Sequence, residues 1–190
     1  MSRTSAQSIP PGKIILTYDD YCEIPNDRNR YEVLEGELNV TPAPNLRHQK
    51  ISGRLHLTLG HHVLANQLGE VYAAPTDVIL APTTVVQPDL IFIGNDRRGI
   101  VTERAIEGPP TLVIEILSPS TSRTDRITKT QLYAKHGVPH YWLLDPDQQT
   151  VEAYELAADQ YNLVIKAQNA ELFHPPLFPG LAIPLADLWS

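Results

Sequence analysis

The 190-residue sequence predicts an α/β fold, a mixed central β-sheet flanked by helices and extended by additional antiparallel strands. Three observations carry this expectation. Short apolar runs at 70–74, 77–81, 88–93 and 111–118, each bounded by proline, glycine or polar turns, read as strands of a central sheet. Ahead of them, Ile51, Leu55, Leu59 and Val63 recur every four residues, which is a helical period. Behind them, 150–156 and 161–166 alternate in the manner of antiparallel strands. Hydrophobic residues make up 42% of the chain, enough for one substantial core, so we expect a single domain over 13–190 after a flexible segment over 1–12.

Thr17 followed by Asp19 and Asp20 predicts a short helix over 17–24, capped by the threonine and favoured by negative charge in its first turn. Residues 31–40 read as a hairpin turning at Gly36, which Pro42 and Pro44 bring to an end. Asn45 caps the longest helix, which ends at Gly69. A second apolar row, Leu57, Leu64 and Leu68, implies that this helix is covered on more than one side. After the four central runs, Ser120, Thr121 and Ser122 offer N-caps for a helix reaching about 136, stopped by Gly137 and Pro139. Residues 141–145 form a strand in which one of Tyr141 and Trp142 faces the core and the other faces out. The Asp145–Gln148 stretch is a turn, and the proline-rich segment at 175–181 packs through its apolar members.

A formal charge of −7 excludes the bulk basic character of a generic nucleic-acid binder, so any phosphate-binding surface must be local. Cys22 is the only cysteine, which excludes an intrachain disulfide and a paired-cysteine zinc cluster and fits a cytoplasmic location. Neither a secretion signal nor a run of about eighteen apolar residues is present, so no membrane association is expected. There is no glycine-rich phosphate loop and no serine nucleophile elbow.

Two acids stand out. Asp89 follows Pro88 at the start of an apolar strand, a position expected to be accessible at a sheet end. Glu115 lies alone inside ThrLeuValIleGluIleLeuSer, and alternation puts it on one face with Val113 and Leu117, opposite Leu112, Ile114 and Ile116. A carboxylate in such surroundings costs several kcal/mol, at about the level of an unpaired buried charge, unless a cation, a hydrogen-bond network or solvent accompanies it. If the two strands are neighbours, both acids reach one hard divalent cation, with magnesium the natural candidate and manganese a substitute. Helical spacing groups Asp125, Lys129, Leu132, Tyr133 and His136 on one face, which directs Lys129 inward. Plainer readings exist for each: Asp89 as a turn cap, Glu115 paired with Arg123 or Arg126, and Asp125 with Lys129 as an ordinary helix ion pair. His48, near a helix start, fits a local hydrogen bond, and His61 and His62 fit surface or packing positions.

ArgTyrGluValLeuGluGlyGluLeu (30–38), His48-Gln49, ProAspLeu (88–90), ValIleGluIleLeuSerProSerThr (113–121), Asp125, Lys129, Tyr133 and GlyValProHisTyrTrpLeuLeuAspPro (137–146) resemble the Uma family of restriction-endonuclease-like proteins, a branch of the PD-(D/E)XK nuclease superfamily. The resemblance runs from about residue 17 to near the end. It implies a restriction-endonuclease-like core, a magnesium site at Asp89 and Glu115, hydrolysis of DNA phosphodiesters and, for cutting both strands, a homodimer. The superfamily's lysine two places after the acid is Leu117 here, and Lys129 replaces it from the helix. An N-terminal acid is also implied, for which Glu37 is the choice and Glu35 and Glu32 compete. Leu117 and the acidic charge support an alternative, a nuclease-fold binding or assembly module without efficient catalysis.

Overall fold

A computed structural model of the chain describes residues 12, 14–25, 27, 29–119, 121–122 and 124–190. The flexible segment expected over 1–12 falls almost wholly outside the described residues, as do the cap assigned to Ser120 and the pairing assigned to Arg123.

Helix α1 (Tyr18–Cys22) begins as its sequence predicts, with the Thr17 side chain and the Asp20 carboxylate capping each other's backbone N–H groups. Strands β1 (Asn29–Leu34) and β2 (Glu37–Pro42) form the expected hairpin. Its two-residue loop, Glu35-Gly36, has positive φ at both positions, and a Cβ on Gly36 would sit 2.6 Å from the Ile15 side chain, so glycine is required there. Helix α2 (Leu46–Ala65) is capped by the Asn45 side chain, which accepts from His48 N at 2.9 Å. It buries Ile51, Leu55, Leu59 and Val63, but the second row does not behave as expected, since Leu57 is 75% exposed and Leu64 79%. One apolar stripe suffices to dock the helix, and the second row costs little to leave in water.

Next come β3 (Gly69–Ala73), β4 (Val78–Ala81), β5 (Thr84–Val86), β6 (Leu90–Gly94), β7 (Ile106–Glu107) and β8 (Leu112–Ile116). A π-helical turn over Thr124–Lys129 leads into α3 (Thr130–Lys135), which Gly137 terminates at φ +75°. Strands β9 (His140–Asp145), β10 (Thr150–Ala157) and β11 (Gln160–Gln168) follow, then β12 (Leu172–Phe173), β13 (Ile183–Pro184) and α4 (Leu185–Trp189).

The four central runs do not share one sheet. A six-stranded mixed sheet runs β11-β10-β9-β8-β6-β3, whereas β4 joins a five-stranded sheet ordered β2-β1-β5-β4-β7. The reason is local: β4 turns tightly into β5, and β5 pairs with β1 of the hairpin, so β4 follows its antiparallel neighbour. In the larger sheet β6 lies antiparallel to β8, and β8 lies parallel to β9.

Strand alternation sorts the core into two layers. Leu90, Phe92, Leu112, Ile114, Ile116 and Trp142 face α2 and the C-terminal segment, where Phe178 and Leu181 of the proline-rich stretch are buried. Ile91, Ile93, Val113, Leu117 and Tyr141 face Leu132 and Tyr133 of α3. Tyr141 and Trp142 are thus both buried, one in each layer, and neither faces out. A two-sided sheet has no outward face to give them. Among the described residues, no helix is long and apolar enough to cross a membrane.

Candidate active site

Because Leu90 pairs with Ile114 in antiparallel register, the next step along the ladder brings Asp89 opposite Glu115. Parity places both on the α3 face of the sheet, at the end of β6 where the smaller sheet, α2 and the π-helical turn converge. The two acids named from the sequence are therefore neighbours, and Lys129 joins them.

Asp89 is buried, at 3% exposure, in contrast to the accessible position expected of it. The β1 hairpin and the first turn of α2 cover the sheet end. Arg30 Nη1 donates to Asp89 Oδ1 at 2.9 Å, and Ile116 N donates to Oδ2 at 2.7 Å. His48 Nε2 lies 3.1 Å from Oδ2 and must carry the proton, since the carboxylate only accepts. Burial pushes the Asp89 carboxyl up, but the His48 hydrogen bond, the Arg30 charge and the Ile116 N–H outweigh it and hold it at about 2.

Glu115 is 1% exposed. Its Oε1 accepts from Lys129 Nζ at 3.0 Å and from the Tyr133 hydroxyl at 2.6 Å, while Oε2 lies 4.0 Å from Arg30 Nη2. Arg126, a sequence candidate for its partner, instead pairs with Asp145 at 2.7 Å and Glu152 at 3.3 Å, on the outside of the turn. Burial raises Glu115 to about 8, with the charges of Asp125 and Asp89 adding to the effect and Lys129 opposing it.

Lys129 is also buried, and it serves three carboxylates: Glu32 Oε1 at 2.8 Å, Glu115 Oε1 at 3.0 Å and Asp125 Oδ1 at 3.4 Å. Burial would lower its pKa, but Glu115, Glu32 and Asp125 hold it above the usual lysine value, so it remains an ammonium. Glu32 is the acid that the ammonium satisfies best. The charges of Lys129 and Arg30 outweigh its desolvation and keep it below its ordinary value, whereas burial leaves Asp125 raised.

Glu37, the N-terminal acid chosen from sequence, is exposed at the start of β2 and is not brought to the cluster; Glu35, exposed in the hairpin turn, pairs with Lys135. Of the three, it is their competitor Glu32 that meets Lys129. It sits inside β1, in the smaller sheet, where it also accepts from Gln87 N at 2.9 Å. Arg30 was legible only as part of a family stretch, and no local pattern assigns it to Asp89. His48 is buried and does more than bond locally, since it links the α2 start to Asp89.

These residues line a cavity of about 240 Å³ that contains Asp89, Glu115, Lys129, Glu32 and Asp125. Four carboxyl groups there face two permanent cations, Arg30 and Lys129, and burial together with the excess of acids raises Glu115 and Asp125 toward their protonated forms. Oxygen donors of this kind suit magnesium, which commonly takes one or two carboxylates and fills its remaining positions with water and phosphate oxygens. Among the described residues, no group of three or more His, Cys, Asp or Glu side chains is arranged to hold a metal by itself, which leaves Asp89 and Glu115 as the pair of acids that could supply oxygen ligands.

The family model described as putative restriction endonuclease, Uma2, matches residues 18–186. The chain belongs to the Uma2 family. Among solved structures, a putative nuclease of the DUF820 group from Anabaena variabilis is 24% identical and superposes with a TM-score of 0.74, covering 92% of this chain and 97% of that one. At that identity the likeness establishes a shared α/β fold. No curated protein matches the chain. Membership of Uma2 agrees with the resemblance read from the motifs, and the motif residues Arg30, Glu32, Asp89, Glu115, Asp125, Lys129 and Tyr133, scattered over a hundred positions of sequence, lie in one cluster.

Proposed function

We propose that this Uma2 protein is a divalent-metal-dependent endonuclease that hydrolyses DNA phosphodiester bonds. The observation that carries this reading is the convergence of Asp89 and Glu115 on one cavity beside the Lys129 ammonium. Asp89 and Glu115 would hold the metal, which when bound supplies Lewis-acid polarisation of a phosphoryl oxygen and a lowered pKa for water. Lys129 stays protonated, so it acts as a donor: it orients the attacking water and offsets the charge that develops on the phosphoryl oxygens. Glu32 and Asp125 keep the ammonium in place. His48 and Ile116 N fix the Asp89 carboxylate, and Tyr133 fixes Glu115, so the reacting array is set before substrate arrives.

The test is cleavage of supercoiled, linear duplex and single-stranded DNA with magnesium or manganese. We expect cutting that a chelator stops, and a loss of about a hundredfold or more in Asp89→Ala and in Glu115→Gln. Cutting that survives both substitutions refutes the assignment.

One observation favours a second reading, a nuclease-fold module that binds nucleic acid or assembles without efficient catalysis. Asp89 is already paired with Arg30, and Glu115 with Lys129, inside the protein. Calorimetric titration with manganese separates the two: heat of binding that disappears in Glu115→Gln supports the enzyme, and no heat at all favours the module.

A further inference from the structure

We propose that the open cavity beside the acid chamber is a subsite for one unpaired nucleotide of the DNA strand, its phosphate on Arg30 and its base against a wall of tyrosines. This rests on the nuclease reading and names the substrate class it favours, single-stranded or locally unpaired DNA. The cavity measures about 850 Å³, a size suited to a small ligand, and lies between α1, β1, the start of α2, the β3–β4 connection and residues 101–106. It shares Arg30, His48 and Asp89 with the acid chamber, so the two cavities adjoin at these residues.

Arg30 gives one nitrogen to Asp89, yet its Nε and Nη2 are buried with no hydrogen-bond partner. Unmet buried donors are costly, and the guanidinium fork matches the oxygens of a phosphate. Along the wall, three tyrosine hydroxyls are each tied to a carboxylate: Tyr21 to Asp77 at 2.8 Å, Tyr31 to Asp27 at 2.8 Å, and Tyr72 to Glu70. These bonds restrain the rings, and Tyr21 is further held by stacking on Tyr18 at 5.9 Å, so a base meets an aromatic wall already fixed in place. Charge orients the occupant: Asp27, Asp77 and Glu103 on the lining repel a phosphate and accept from base N–H groups, and of the two lining arginines Arg104 lies over the Tyr18 ring while Arg30 stands beside the acid chamber, which makes Arg30 the phosphate end. A base inside a duplex cannot reach this wall without leaving its stack.

The test uses the full-length Glu115→Gln protein in chelator, titrated into a fluorescein-labelled single strand of about twelve nucleotides and into the same sequence as a blunt duplex, followed by anisotropy. The single strand should bind about tenfold tighter or better. Adding Ser52→Trp, which fills the cavity from α2, should abolish that preference, and Gln49→Trp, one turn earlier at an exposed position, should repeat the effect if the first variant folds poorly. Arg30→Lys, which keeps the charge and loses the fork, should weaken single-strand binding about tenfold. Equal affinities, no binding to either DNA, or a preference that both tryptophan variants leave intact overturns the subsite. Wild-type cutting in magnesium separates the two readings. Duplex cut as fast as single strand, unaffected by Ser52→Trp, overturns the subsite and leaves the nuclease standing. A single-strand preference in binding with no cutting under any metal leaves the subsite and removes the nuclease.

Discussion

Replacing Glu115 by glutamine tests whether the carboxylate cluster carries unmet charge. Glu115 is fully buried, and its carboxyl rises from an ordinary 4.5 to about 8. A raised carboxyl contributes its full stability below pH 4.5, where folded and unfolded chains both hold the proton. That stability is lost as pH rises toward 8, because only the unfolded chain releases the proton. From 4.5 to pH 7 the cost accumulates at about 1.4 kcal/mol per unit, which gives an upper figure of about 3 to 4 kcal/mol. Glutamine keeps the shape, can still accept from Tyr133 and Lys129, and does not titrate. The variant should therefore match the wild type near pH 5 and exceed it by about 1 to 3 kcal/mol at pH 7 to 8, a shift of about 1 M in the urea midpoint. Urea unfolding at pH 5, 6, 7 and 8 measures this, with m as the check that the unfolded state is unchanged. Parallel pH dependences for the two proteins would refute the excess-charge account. The same substitution should abolish cleavage, so stability and activity move in opposite directions.

Lys129→Met leaves Glu32, Glu115 and Asp125 buried without their ammonium and should cost about 3 to 5 kcal/mol by chemical denaturation at pH 7; a loss below about 1 kcal/mol would show that the acids are not sharing it. Asp89 lies at about 2, below its ordinary 3.8, so its contribution is complete above pH 4 and disappears as pH falls toward 2. Asp89→Asn should flatten that acid limb by about 2 kcal/mol, read from thermal melts between pH 2 and pH 5. In cleavage assays Glu37→Gln should behave as wild type, while Glu32→Gln, which loosens Lys129, should slow cutting about tenfold or more; the reverse order would restore the acid chosen from sequence.

The legible parts of the site are those set by strand parity. An acid alone in an apolar run and an acid at a strand start marked Asp89 and Glu115 as candidates, and alternation fixed the face of Glu115, but their meeting needed β6 and β8 to be neighbours, which the sheet order supplies. Lys129 was legible through its helical stripe, although the turn that carries it is π-helical and wider than the expected α-helix. Glu32, Glu35 and Glu37 lie within six residues and look alike in composition. The hairpin reading itself held the discriminating signal, since residues at a two-residue turn face water, leaving only Glu32 deep enough in β1 to be buried. Arg30 and His48 were harder because their roles depend on where β1 and α2 land relative to β6, a tertiary outcome with no local period. The exposed Leu57 and Leu64 mark the opposite error: an apolar row shows that burial is affordable in sequence terms and does not establish that a partner covers it.

The absence of a lysine two places after Glu115 follows from the packing. Residue 117 shares the strand face of Glu115, and there Leu117 is buried among Leu132, Val138 and Leu143. An ammonium rooted at that point would be desolvated inside an apolar layer and would have to bend back along its own strand to reach Glu115. Lys129 comes from the opposing layer, across the gap between the turn and the sheet, and meets Glu115, Glu32 and Asp125 together. Three acceptors restrict its movement more than one would, and the π-helical turn places Asp125 and Lys129 inward at once. Lys129 thus sets an ammonium beside the acid pair from the opposing layer, and Leu117 continues the apolar packing of that layer behind it.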